Sequence, residues 1–146
     1  MNHAVTVKVR YGETDKMGIV YHPNYLAYFE LGRTEFMRAS GFPYREIEAE
    51  GVYLVVVEAA CIYKGRARYD DELRVVTRLT DVRHTTLRFD YDIENVTDGG
   101  RLITQGHTVL AGVTDKMKVV RLPDRLTSTA RGCIMAAPVP DVRSKS

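Results

Sequence analysis

Cysteine is scarce in this sequence. The two present, Cys61 and Cys133, stand far apart and make neither a CxxC pair nor a disulfide framework, which suits a reducing compartment and leaves both as plain thiols. Long apolar runs are missing as well. None approaches the roughly 20 residues that a membrane span needs, so no integral membrane segment is expected. Met1 to Arg10 alternates polar and apolar residues instead of following the basic-then-apolar plan of a secretory signal, and the expected location is cytoplasmic. Nor does charge of one sign dominate. A net charge of +2 provides no global basic field for DNA or RNA, and no nucleic-acid partner is expected.

Metal-ligand spacing is absent. His3, His22, His84 and His107 are scattered, without an HxxxH pair or a neighbouring cysteine pair, so no metal is expected. Asp90-x-Asp92-x-Glu94 superficially resembles a calcium loop, yet Asn95 stands where the loop's glycine belongs and Phe89, Tyr91 and Ile93 alternate as strand core. There is no GxSxG elbow and no P-loop, which removes serine-hydrolase and nucleoside-triphosphate chemistry. Repeats and low-complexity segments are absent.

What is there fits one domain of ordinary size: 146 residues, 45% hydrophobic and 27% charged, enough to bury a core without disulfides or metal. Val5, Val7, Val9 and Tyr11 alternate with polar residues, which predicts a first strand. Gly12 to Tyr21 lose any period and read as a loop. Pro23 suits the first helical position. The helix should run to about Ser40, with Tyr25, Phe29, Gly32 and Phe36 on its buried face, widened by Leu26 and Met37, and Gly41 as its stop. Glu30, Arg33, Glu35 and Arg38 supply i, i+3 pairs. A short helical turn within 42–50 precedes Val52 to Tyr63, a β-branched run with too little polarity for an exposed strand and therefore read as central.

Further strands are predicted around Leu73–Thr80, Leu87–Glu94 and Arg101–Thr114. The Leu87–Glu94 strand places Leu87, Phe89, Tyr91 and Ile93 inward and Arg88, Asp90, Asp92 and Glu94 in water. Asp98-Gly99-Gly100 signals a hairpin, Asp115-Lys116 a turn, and Met117–Leu122 a last strand. Beyond Pro123 a short helix or a frayed, partly disordered tail is expected over 123–146. This order implies an α+β fold: an antiparallel β-sheet of five to six strands wrapped around one long central α-helix, a single domain over 1–146 with its core at about 5–122.

Chemistry concentrates in Tyr11-Gly-Glu-Thr-Asp-Lys-Met-Gly-Ile-Val-Tyr-His-Pro-Asn-Tyr25. Asp15 lies there between two glycine-bearing turns, just ahead of the long helix. A carboxylate so placed can activate water or attack a carbonyl while unpaired helix N–H groups hold the oxyanion. An Asx-turn or a solvated loop carboxylate is the bland alternative. Tyr11, Tyr21, His22 and Asn24 add hydrogen-bonding side chains to the same stretch. His22 is either a helix-entry residue or a proton carrier. Tyr11 either packs in the core or contacts substrate or Asp15, and Glu13 reads as solvated. Basic residues gather at Lys64, Arg66 and Arg68 and again at Lys116, Lys118 and Arg121, either as solvated surface or as a seat for a phosphate-bearing ligand.

The stretch Asp15 to Tyr25, followed by Phe29-Glu30 and Arg33 and by Ala67-Arg-Tyr-Asp-Asp-Glu-Leu73, resembles the hot-dog-fold acyl-CoA thioesterases. Within them it is most similar to the 4-hydroxybenzoyl-CoA thioesterase family, including its Tol-Pal-associated branch. Pro23 departs from the small residue expected at its position. The resemblance implies that the long helix is the sausage and the sheet the bun. It also implies homodimers, often paired into homotetramers, with active sites at the subunit interface. The implied reaction is hydrolysis of an acyl-CoA to a carboxylic acid and coenzyme A, with Asp15 as catalytic carboxylate and Tyr11 and His22 at positions implicated in some members.

Combined with the residue reading, the backbone N–H groups of Gly18, Val20, Tyr21 and His22 become the expected oxyanion donors. Lys64, Arg66, Arg68, Lys116 and Lys118 become the expected coenzyme A contacts. No cofactor is implied beyond the coenzyme A of the substrate. A non-catalytic acyl-CoA or acyl-carrier-protein binding scaffold is the alternative, separated from the enzyme by whether free thiol is released. A hot-dog dehydratase or hydratase would need a catalytic His and acid signature that is absent.

Overall fold

The alternation of the first residues produces β1 (Asn2–Lys8); after a one-turn 3-10 helix (Tyr11–Glu13) and a loop, the chain enters α1 (Asn24–Ala39). There follow α2 (Tyr44–Ala49), β2 (Tyr53–Tyr63), β3 (Glu72–Val82), β4 (Thr86–Asn95), β5 (Arg101–Val113) and α3 (Asp124–Arg131). The computed structural model describes residues 2–134, so the expectation for the last stretch of the tail, 135–146, lies outside the described residues. The five strands form one antiparallel sheet in the order β1-β3-β4-β5-β2.

The core lies between α1 and one face of that sheet. From α1 come Tyr25, Tyr28, Phe29, Gly32, Phe36 and Met37; from the strands come Leu73, Val75, Leu79, Leu87, Phe89, Tyr91 and Ile93, all 0% exposed. Phe29 stacks on Tyr91 at 4.2 Å with the rings nearly parallel, and Phe36 meets Phe89 edge-on at 5.7 Å. Burying each large side chain contributes roughly 1.5–3 kcal/mol, so the helix is held by its face and not by its ends. Gly32 permits the close approach: a Cβ there would collide with Thr77 Oγ1 and stand 2.9 Å from Val75 Cγ1. Leu26, expected to widen the stripe, is 40% exposed, and Tyr28 on the opposite flank of Tyr25 takes that place.

Both helix boundaries follow from backbone chemistry. Pro23 sits one residue ahead of α1 with φ −64° and ψ −19°, already helical, and its carbonyl accepts the Leu26 N–H. Gly41 closes the far end at φ 87°. Of the expected pairs along α1, Arg38–Glu35 forms, whereas Arg33 turns to the Tyr91 hydroxyl. The short helix after Pro123 is α3, whose Leu126 and Ala130 join the core.

Three expectations are corrected. Val52–Tyr63 is not a central strand: β2 pairs with β5 alone, at one edge, with a bulge between Val56 and Glu58, and leaves Val56 47% and Val57 59% exposed. Its composition signals burial, but the composition cannot say whether this chain or another supplies it. Met117–Leu122 makes no sixth strand, only a bridge from Val119 to Val113. Thr114 Oγ1 accepts the N–H groups of Lys116 and Lys118 in a tight turn, and the Leu122 N–H then bonds the His84 carbonyl, which carries the segment across the end of the sheet. Asp90 is 0% exposed instead of wet. The Arg88 guanidinium donates to both its oxygens, at 3.0 and 3.1 Å, and Thr80 adds a bond of 2.5 Å. Periodicity assigns a face, not the long neighbours that fold over it.

Candidate active site

The loop ahead of α1 folds back on itself. Thr14 bridges Val20, the Asp15 N–H donates to the Ile19 carbonyl at 2.9 Å, and the Gly18 N–H donates to the Asp15 carbonyl at 2.9 Å. Gly18 makes the turn at φ 78°, a conformation that disfavours a side chain. Asp15 therefore stands at the tip of the turn. Its Oδ1 accepts the Met17 N–H at 2.8 Å, so the Asx-turn is present, and Oδ2 meets no protein donor among the described residues. A ribbon from 66–71 braces the loop: Ile19 bridges Arg68, and the Val20 N–H bonds the Ala67 carbonyl at 2.9 Å. The two stretches that carried the family resemblance are thus neighbours.

Tyr11, Gly12, Thr14, Asp15, Lys16, Tyr21 and Asn24 line a cleft of about 720 Å³ beside the first turn of α1. Tyr11 is beside Asp15, as a contact residue would be, but it belongs to the 3-10 turn, 78% exposed and edge-on to Tyr69 at 5.8 Å. It does not pack in the core, because β1 ends at Lys8 and Val9 makes the last inward step. His22 does not line the cleft. Its ring packs edge-on against Tyr21 and Tyr63, and the Tyr63 hydroxyl donates to its carbonyl at 3.3 Å, two residues ahead of α1.

The expected oxyanion donors are mostly occupied. The N–H groups of Gly18, Val20 and Tyr21 donate at 2.9 Å to the carbonyls of Asp15, Ala67 and Glu13. Those of Asn24, Tyr25 and Leu26 are taken by the carbonyls of Tyr21, His22 and Pro23. The His22 N–H has no acceptor among the described residues. Helix N-termini leave donors free only where the preceding residues do not curl back to meet them, and here they do.

Glu13 is not solvated. Its Oε1 accepts the Arg10 N–H at 2.8 Å and the Tyr28 hydroxyl at 3.0 Å, while its carbonyl accepts Asn24 Nδ2 at 2.8 Å. Burial first, and then the facing Glu13 carboxylate, push the Tyr28 phenol well above the usual tyrosine range. Burial also raises Tyr25 and Tyr63 to about 12. These phenols stay protonated donors at any ordinary pH.

The two basic clusters separate. Lys64, Arg66 and Arg68 line a second cavity of about 520 Å³, with Gly65, Asp71, Asn95, Asp98 and Arg101. Its carboxylates are engaged: Asp71 Oδ2 accepts the Arg68 N–H and Asn95 Nδ2, both at 2.9 Å, and Asp98 pairs with Arg101 at 3.3 Å. Lys116 and Lys118 lie at the opposite end of β5, roughly 35 Å away at about 3.4 Å per residue between Ile103 and Val113. They cannot share a ligand with the first cluster within one chain. Among the described residues, no three of His, Cys, Asp and Glu gather to hold a metal ion, and no helix is long and apolar enough to cross a membrane.

The thioesterase-like superfamily model matches residues 9–141. The chain belongs to the thioesterase-like superfamily. An Aquifex aeolicus protein named a putative esterase is 42% identical over 84 residues, 58% of this chain and 66% of the relative, so the chain spans about two thirds of that relative's length. The acyl-CoA thioester hydrolase YbgC of Escherichia coli is 35% identical over 123 residues, covering 84% of this chain and 90% of the relative. The solved DHNA-CoA thioesterase of Staphylococcus aureus superposes with a TM-score of 0.82 at 31% identity, covering 90% and 87% of the two chains. The fold is accordingly the hot-dog fold, and the Escherichia coli and Staphylococcus aureus proteins are named as thioester hydrolases.

Sequence reasoning missed Glu13, Tyr28 and Arg101. Tyr28 lies three residues from Tyr25 and so carried a helical-spacing signal. Glu13, read as solvated, carried no signal for the tie to Tyr28, which lies 15 residues away.

Proposed function

We propose that this chain is an acyl-CoA thioesterase of the 4-hydroxybenzoyl-CoA thioesterase type, with the Tol-Pal-associated branch as its nearest setting. The observation that carries this reading is Asp15, fixed at the tip of its turn by the Met17 N–H bond to Oδ1 and lining a cleft beside the α1 N-terminus. Asp15 takes a proton from water, hydroxide adds to the thioester carbonyl, and the tetrahedral oxyanion collapses with cleavage of the C–S bond. The coenzyme A thiolate takes up a proton and the carboxylic acid is released. In the nucleophilic variant a carboxylate oxygen attacks the carbonyl, the thiolate leaves, and water hydrolyses the mixed anhydride. The His22 N–H, next in the chain to the cleft-lining Tyr21 and without an acceptor among the described residues, is the donor assigned to the oxyanion, assisted by the positive end of α1.

The Lys64, Arg66, Arg68 and Arg101 cavity suits the phosphates of coenzyme A. An acyl-carrier-protein phosphopantetheine arm, which brings a single phosphate, is the other carrier the same cavity admits. The open edge and exposed valines of β2 support pairing with a second copy as a homodimer or dimer of dimers. The test is free-thiol release over a panel of acyl-CoAs with wild type and Asp15→Asn. A loss of at least about 10²-fold in kcat, with the fold intact, is expected. Tight binding without thiol release by the wild type would instead establish the scaffold reading.

A further inference from the structure

We propose that Glu13 positions the Asp15 turn against the first two turns of α1. It is a positioning residue, not a catalytic one, and this inference rests on the thioesterase reading. Glu13 stands two residues before Asp15 yet does not line the cleft, and its side chain is only 20% exposed. Its carboxylate joins the residue that leads from β1 into the 3-10 turn, through the Arg10 N–H at 2.8 Å, to the second turn of α1, through the Tyr28 hydroxyl at 3.0 Å. Its carbonyl joins the returning arm of the loop, through the Tyr21 N–H at 2.9 Å, to the first residue of α1, through Asn24 Nδ2 at 2.8 Å.

Among the described residues, the side-chain hydrogen bonds between the segment 10–20 and α1 are those of Asn24 and Tyr28, and both end on Glu13. The remaining ties of the Asp15 turn run within the turn or to Ala67 and Arg68. Asn24 and Asp15 line the same cleft, so the spacing between the carboxylate and the helix terminus is set through this one residue. Misplacing a reacting group by about 1 Å is enough to slow chemistry by up to about 10²-fold.

The test uses the full chain and the variants Glu13→Ala, Glu13→Gln and Tyr28→Phe. Each is measured for kcat and KM by free-thiol release, well below its melting transition. Amide hydrogen exchange over residues 15–24 is measured in the free protein. Glu13→Ala should lower kcat by about 10-fold or more, leave KM within about 3-fold, and speed exchange over 15–24. Glu13→Gln keeps an acceptor oxygen for both Arg10 and Tyr28 and should stay within about 3-fold of wild-type kcat. The double variant Glu13→Ala/Tyr28→Phe should be no slower than Glu13→Ala alone, since both remove one link. Wild-type kcat in folded Glu13→Ala, or a loss matching only the unfolded fraction, would overturn the proposal. Should wild type release no thiol from any acyl-CoA, the thioesterase reading fails, and exchange alone decides on Glu13. Faster exchange confined to 15–24 then supports the link, and unchanged exchange refutes it.

Discussion

Gly106 offers the sharpest test of how α1 is seated. It lies on β5 opposite Tyr91 on one side and Cys61 on the other, directly beneath the Phe29 ring. A Cβ there would overlap the Ala60 carbonyl oxygen and stand 2.6 and 2.8 Å from Phe29 Cε2 and Cζ. The first obstacle is backbone in the adjacent strand and cannot rotate away. The second is a 0% exposed ring stacked on Tyr91 at 4.2 Å, so it has no empty volume to enter. Gly106→Ala should therefore carry an overpacking penalty of about 1–3 kcal/mol, with about 0.5–1.5 kcal/mol more from the disturbed aromatic stack. A sum of about 1.5–4.5 kcal/mol lowers Tm by roughly 5–15 °C for a domain of this size. Thermal melting followed by circular dichroism reads the shift, and a urea titration reads the free energy. Gly12→Ala is the control, since a Cβ at Gly12 meets nothing within 4 Å. It should stay within about 0.5 kcal/mol of wild type. A Gly106→Ala protein melting within about 1 °C of wild type would show that the helix is not packed against β5 as described.

Arg66→Ala and Arg68→Ala should raise KM for an acyl-CoA more than they lower kcat, with an effect that shrinks at high salt, whereas Lys116→Ala and Lys118→Ala should leave KM within about 2-fold. Steady-state kinetics at two ionic strengths separates the pairs, and equal effects would reject the cavity beside Arg101 as the coenzyme A seat. On the proposed pairing along β2, wild type should scatter light as a homodimer or dimer of dimers and Val57→Lys, at a 59% exposed position on that open edge, as a monomer, because a lysine on an edge strand opposes edge-to-edge pairing. An unchanged mass would place the interface elsewhere. Alkaline stability follows the phenols. Tyr25 is raised from 10.0 to about 12, so the folded chain holds its proton while the unfolded chain loses it, and stability is complete below pH 10 and falls as pH rises toward 12. Tyr28 is raised in the same direction. Urea midpoints should drop between pH 9 and 11 (about 10 being the phenol value of unfolded chain), and less steeply in Tyr28→Phe. A flat profile would refute the buried setting of these rings.

Periodicity made the core legible. Leu87, Phe89, Tyr91 and Ile93 alternate, and all four are fully buried; Tyr25, Phe29, Gly32 and Phe36 follow the helical spacing and face them. Pairing was less legible, because strand order depends on long-range hydrogen bonds that no local pattern encodes. β2 and β3 are consecutive in sequence yet sit at different places in the sheet, with β4 and β5 between them. Met117–Leu122 failed as a strand because Thr114 side-chain bonds close a turn and Leu122 is called to His84, a competition decided by partners outside the segment.

Asp15 was legible as a candidate because several hydrogen-bonding side chains crowd its short loop; it lines the cleft, and it also closes the Asx-turn that was the alternative reading. The residues expected to share its chemistry are divided: Tyr11 stays beside it, His22 packs on Tyr63, and three of the four oxyanion candidates are spent on carbonyls. Those spent N–H groups are what make the turn rigid, since each fixes one strand of the loop to Glu13, Asp15 or Ala67. A site that commits its own amides to holding a carboxylate in place must find its remaining oxyanion donor elsewhere, at the His22 N–H or on a second copy docked along β2. On the proposed pairing of two copies along β2, the apolar composition of that edge strand and the shortage of free donors in the loop have one physical explanation, a site completed across a subunit seam.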